Sequence, residues 1–66
     1  MNKTELTKAM QNHTGSSFIT RLELMKFMGY KNPSSVDRYL HSLERVDKRY
    51  FIPDVAGELI EAAAFR

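Results

Sequence analysis

The sequence predicts a mainly α-helical domain with one small β-hairpin, and three stretches carry that prediction. Thr20, followed three residues later by Glu23, opens a helix as a capping box, and Gly29 closes it where a left-handed residue is wanted. Asn32-Pro33 restarts the chain, with Asn as N-cap and Pro at the first helical position, and Val36, Tyr39, Leu40 and Leu43 then recur at helical spacing. Finally, Val46, Tyr50 and Ile52 carry strand propensity on either side of Asp47-Lys48, which reads as a hairpin tip.

Sixty-six residues allow a single domain (1–66) with a single small core, near the lower limit for folding unaided. Cysteine is absent, so neither disulfides nor thiolate metal ligands can add stability, and a core drawn from the 42% hydrophobic content, or an oligomer interface, must suffice. No apolar run approaches membrane-spanning length, and the N-terminus lacks a signal-peptide core; a cytoplasmic location with no membrane partner is expected. The net charge is +2 and the pI about 9.2. The bases Lys31, Arg38, Arg45, Lys48 and Arg49 lie mid-chain, while Asp54, Glu58 and Glu61 follow them, which gives the molecule a polar axis suited to a nucleic-acid partner. Small domains also separate charge by chance.

Taken in order, Met1–Gln11 reads as a short helix begun by Asn2 or Lys3, with a thin stripe of Leu6, Ala9 and Met10 that must dock to persist. Asn12 to Ser17 is the most loop-like stretch, a candidate linker that would make the first helix (1–12) an add-on to a core spanning 18–60, with His13 solvated in it. Phe18-Ile19 either forms a brief strand or staples the entry to the next helix. That helix, Thr20 to Met28, turns Leu22, Leu24, Met25 and Met28 inward and leaves Arg21, Glu23 and Lys26 to water. The second helix, Pro33 to about Leu43, buries Val36, Tyr39, Leu40 and Leu43, and its opposite face carries Ser34, Ser35, Asp37, Arg38, His41 and Ser42. Pro53 closes the strand at Tyr50–Ile52 because it cannot donate to a ladder. Asp54 starts a last helix with Val55, Leu59, Ile60, Ala62 and Ala63 facing inward, and Phe65 docks at its end or frays. Gly57 weakens that helix by roughly 1 kcal/mol relative to Ala unless close packing requires it.

A helix, a glycine turn, a second helix and then a hairpin is the layout of a winged helix-turn-helix, here with an extra N-terminal helix. Phe18-Ile19-Thr20 with Glu23-Leu24, Met28-Gly29-Tyr30, Ser34-Ser35-Val36-Asp37-Arg38-Tyr39-Leu40 and Arg49-Tyr50-Phe51-Ile52-Pro53 together resemble excisionase-like and MerR-type winged-helix domains over about Phe18 to Ile60. The chain departs from that pattern at Asp47, where such wings often have Gly, and in its N-terminal helix, which is either a dimerisation or integrase-contacting element or plain packing. The resemblance implies a DNA-reading helix at Pro33–Leu43, a wing at Arg45–Tyr50, and double-stranded DNA as the partner. It implies either an excisionase (a recombination directionality factor of a phage or mobile element) or a small transcriptional regulator, with an integrase or self-association on DNA as further partners.

The candidate DNA contacts each have a plainer alternative. Lys31 and the N–H groups that begin the second helix suit phosphate, or Lys31 is a solvated turn lysine. Asn32, Ser34 and Ser35 sit at the helix start, short enough for close approach, or act as caps. Arg38 matches a guanine edge bidentately, or pairs with Asp37 or Ser34 on the surface. His41 touches phosphate or lines a solvated face. Arg45, Lys48 and Arg49 reach backbone or minor groove from the wing, or keep a hairpin soluble. Tyr30, Tyr39 and Phe51 suggest a stacking platform, but Tyr39 has core spacing and Phe51 is assigned to the core. With so few phosphate contacts, binding is expected to be weak for a monomer and steeply salt-sensitive.

No catalytic role is expected: there is no thiol nucleophile, metal-ligand spacing or phosphate-cradling loop, so neither a metal, a cofactor nor a small-molecule ligand is foreseen. The rival is a protein-interaction module that uses Leu6 and the Ala62-Ala63-Phe65 end as sticky surfaces.

Overall fold

The computed structural model describes residues 2–62, in which α1 (Lys3–Thr14), β1 (Phe18–Thr20), α2 (Arg21–Met28), a 3-10 segment (Pro33–Val36), α3 (Asp37–Leu40), β2 (Arg49–Phe51) and α4 (Ile52–Glu61) follow one another. The expected mainly helical chain with a small antiparallel β element is observed. No helix among the described residues is long and apolar enough to cross a membrane.

Local signals explain most helix boundaries. Asn2 Oδ1 accepts from the Glu5 N–H at 2.8 Å and starts α1. The capping box is complete at α2: Thr20 Oγ1 accepts from Glu23 N at 3.1 Å, and Glu23 Oε1 from Thr20 N at 2.9 Å. Gly29 takes φ +78° and ends α2 in a Schellman pattern, with its N–H bonded to Lys26 O and that of Tyr30 to Met25 O. Pro53 stands in the first turn of α4, and β2 stops two residues before it.

Helix α1 runs past the expected end at Gln11 and takes in Asn12, His13 and Thr14. Gly15, at φ +69°, supplies the left-handed terminus, its N–H bonding Gln11 O at 2.7 Å. His13 is therefore a last-turn helical residue, exposed, with its ring centroid 5.5 Å from that of Phe27 in an edge-on arrangement. Leu6 and Met10 are completely buried, and α1 packs on α4, β1 and α2, so it is part of the core. Leu6 is thus unavailable as a sticky surface; Ala63 and Phe65 lie outside the described residues, and Ala62 is exposed.

The two-stranded sheet is not the expected hairpin. β2 pairs antiparallel with β1 in the register Phe18–Phe51, Ile19–Tyr50, Thr20–Arg49. The hairpin contributes one bridge, in which Val46 N bonds Arg49 O at 2.8 Å and Arg49 N bonds Val46 O at 3.0 Å. Asp47 and Lys48 form its tip as expected, both at positive φ (52° and 65°), the conformation a two-residue hairpin loop needs. Ile52 belongs to α4 rather than to the strand.

Completing the core are Ile19, Leu24, Val36, Tyr39, Leu40, Ile52, Val55, Ala56 and Leu59, with Met25, Phe27, Met28, Leu43, Tyr50 and Ile60 packed around it. Two apolar residues assigned inward face water. Leu22 is 55% exposed because the short α2 commits Leu24 to the interior, and Phe51 is 43% exposed because strand alternation gives the inner face to its neighbour Tyr50. At Gly57 an added Cβ would lie 3.7 Å from Lys3 Cε, an ordinary contact with a flexible side chain, and the residue has no positive φ. Gly57→Ala should therefore stabilise the protein by about 1 kcal/mol and raise its Tm by roughly 4–8 °C. A calorimetric or circular-dichroism melt showing an unchanged or lower Tm would reject this reading of the α1–α4 contact.

Candidate nucleic-acid interface

The stretch expected to be one helix from Pro33 to Leu43 is instead a 3-10 turn followed by a single α turn. Asn32 Oδ1 accepts both the N–H and the hydroxyl of Ser34, each at 3.0 Å, and Ser35 N bonds Asn32 O at 3.0 Å. These local serine and asparagine bonds compete with the α-helical pattern and tighten the first turn. At the other end the His41 ring donates from Nδ1 to Arg38 O at 2.9 Å, taking a carbonyl that a longer helix would use, and Leu43 turns back through a bond to Leu40 O. Val36, Tyr39 and Leu40 are buried as expected, and Leu43 is half-buried.

This architecture reassigns several candidate contacts. The N–H groups of Ser34 and Ser35 are bonded to Asn32, so this start does not hold them out for a phosphate. Asn32 and Ser34 are exposed and bonded to each other, and Ser35 is half-buried. Lys31, Arg38, His41, Arg45, Lys48 and Arg49 are all exposed. Asn32 with Ser34, and Arg38 with His41, form two bonded groups on the helical segment. Lys48 and Arg49 stand at the bridge between Val46 and Arg49, with Arg45 just before it, and among the described residues no hydrogen bond or ion pair joins these three side chains to the helical groups.

Arg38 does not pair with its neighbour Asp37. That carboxylate is gripped bidentately by Arg21, with Nε to Oδ1 at 2.6 Å and Nη2 to Oδ2 at 2.9 Å. Helical spacing alone leaves Arg21 to water, and nothing local in the sequence announces this pair, which joins residues sixteen apart. Arg38 instead lays its guanidinium 4.9 Å from the Tyr39 ring centroid and has no ion pair among the described residues. The Tyr39 hydroxyl, by hydrogen bonding, holds the Tyr30 phenol above its ordinary value, and the nearby charge of Arg38 opposes that rise. Tyr30 is partly exposed beside them, whereas Tyr39 is buried.

The hydrogen bond from Arg21 lowers the Asp37 carboxyl pKa below its ordinary value. A depressed carboxylate pKa contributes stability that is complete above the unfolded-state value and disappears as pH falls through the folded-state value. The melting curves of wild type and Asp37→Asn should therefore differ above about pH 5 and converge in more acidic solution. Both side chains are about half exposed (48% and 50%), so the difference should be small and should shrink in salt. A gap that persists unchanged at low pH would show that the pair is not its source.

No protein-family model, curated protein or solved structure matches this chain.

Proposed function

We propose that this protein binds double-stranded DNA as a winged helix-turn-helix, in the manner of an excisionase of a phage or mobile element. The observation that carries the reading is the isolation of Arg38. The acid beside it is held by Arg21, while its own guanidinium rests on a buried aromatic ring and projects from the exposed side of the helical segment. An arginine held in this way is pre-oriented for a base edge, and Lys31 before the segment and Arg45, Lys48 and Arg49 at the hairpin supply cations for backbone phosphates.

The chain order supports the winged layout. A strand precedes the first helix of the pair, and the second arm of the tight hairpin returns to that strand through the pairing of Phe18–Thr20 with Arg49–Phe51. The helical segment is shorter than the resemblance implies, so few side chains on it can read bases, and specificity rests on few positions, Arg38 foremost.

A titration of the full chain against labelled duplex DNA at two salt concentrations tests this reading. With four or five basic side chains engaged, affinity should fall roughly a hundred- to a thousandfold between 50 and 200 mM salt. A folded protein that shows no duplex binding at low salt would refute it. The excision role rests on the resemblance alone. It predicts that deleting the coding sequence blocks loss of the element that carries it and leaves integration intact. Unchanged excision would favour the regulatory alternative.

A further inference from the structure

Alternation along the two strands places Ile19 and Tyr50 on the inner face of the ribbon and Phe18, Thr20, Arg49 and Phe51 on the outer one. Phe18 and Phe51 face each other in register, with ring centroids 5.6 Å apart and planes inclined at 54°. The Arg49 guanidinium reaches diagonally across to lie 5.5 Å from the Phe18 centroid. Phe51 is 43% exposed, and Arg49 is exposed with no carboxylate partner among the described residues. No acid occupies an outer position of either strand. Lys48 and Arg45 stand close in the chain, against the carboxylates Glu44 and Asp47.

We infer that this outer ribbon face is a stacking site for an unpaired base of single-stranded DNA. An aromatic ring left in water beside an unpaired cation fits a nucleobase and its phosphate together: the ring takes the flat face of the base, and the guanidinium takes the charge. A purely apolar partner would leave Arg49 buried without a counter-charge, at a cost a nucleic acid avoids. No residue of this face belongs to the helical segment, and the site shares Arg49 with the duplex-binding reading. Variants of the helical segment and of Phe51 therefore separate the two.

The test is fluorescence anisotropy of the full chain with a labelled oligothymidylate of about a dozen nucleotides, a length suited to a small stacking groove. Wild type should bind in a salt-sensitive way, and Phe51→Ala should weaken binding about tenfold. Phe51→Leu should also weaken it, because leucine keeps apolar area but has no π face. Arg38→Ala should leave it unchanged, which separates this site from the duplex site. In wild type, the ring protons of Phe18 and Phe51 should move upfield in NMR spectra as the oligonucleotide is added. Absence of binding, full affinity in Phe51→Leu, or unmoved ring resonances in wild type would each overturn the inference.

Discussion

Deleting α1, by starting the chain at Ser16, should leave an unfolded peptide. Leu6 and Met10 are completely buried, and α1 lies against α4, β1 and α2. Each such side chain is worth about 1.5–3 kcal/mol when removed from water, and the deletion also uncovers apolar surface on α4. A chain of this length holds roughly 0.05–0.15 kcal/mol of net stability per residue, so the loss is of the same size as the whole. Leu6→Ala gives the point version, a destabilisation of about 2–5 kcal/mol. Far-UV circular dichroism and the dispersion of amide NMR resonances read both outcomes. A cooperatively folded fragment lacking α1 would mean that this helix is an accessory element after all.

Arg38→Ala should weaken duplex binding by roughly five- to a hundredfold, the range a good bidentate base contact supplies. It should change stability by less than about 1 kcal/mol, since an exposed cation–π contact is worth no more. The salt dependence of the residual binding should barely change if Arg38 meets a base. By contrast, replacing Lys48 and Arg49 together with alanine should lower the salt slope by about two while affecting all duplexes alike. Arg38→Lys distinguishes charge from shape, because lysine keeps the cation but loses the planar fork, and it should recover little of the affinity. Equal affinity of wild type and Arg38→Ala would remove Arg38 from the interface and with it the main support for the helical segment as the reading element.

How far the sequence was legible depended on the range of each interaction. The Thr20–Glu23 box, Gly29, the Asn32 cap, the Asp47-Lys48 tip and the burial of Val36, Tyr39 and Leu40 are all decided within a few residues, and each was readable. The pairing of β1 with β2 and the Arg21–Asp37 grip join distant parts of the chain and leave no local trace, and the Leu6–Met10 stripe shows that α1 must dock but not on which elements. The shortened second helix was misread for a different reason. The apolar spacing from Val36 to Leu43 suits a helix, but Asn32 with Ser34 at one end and His41 at the other offer side-chain bonds that break it. At the candidate site the exposure of the charged residues was foreseen. That Arg38 has no acid beside it to pair with was not, since that depends on Asp37 being claimed from another helix. Phe51 is an expected core residue, and only the strand register turns it out onto the face that carries Phe18 and Arg49.

The central claim is that duplex DNA meets the protein at the helical segment and the hairpin, and amide NMR mapping with a short duplex tests it most directly. Resonances of residues 31–41 and 45–49 should shift on titration, and those of α1 and the second half of α4 should stay in place. Shifts concentrated on α1 and α4, or none at low salt, would contradict the account.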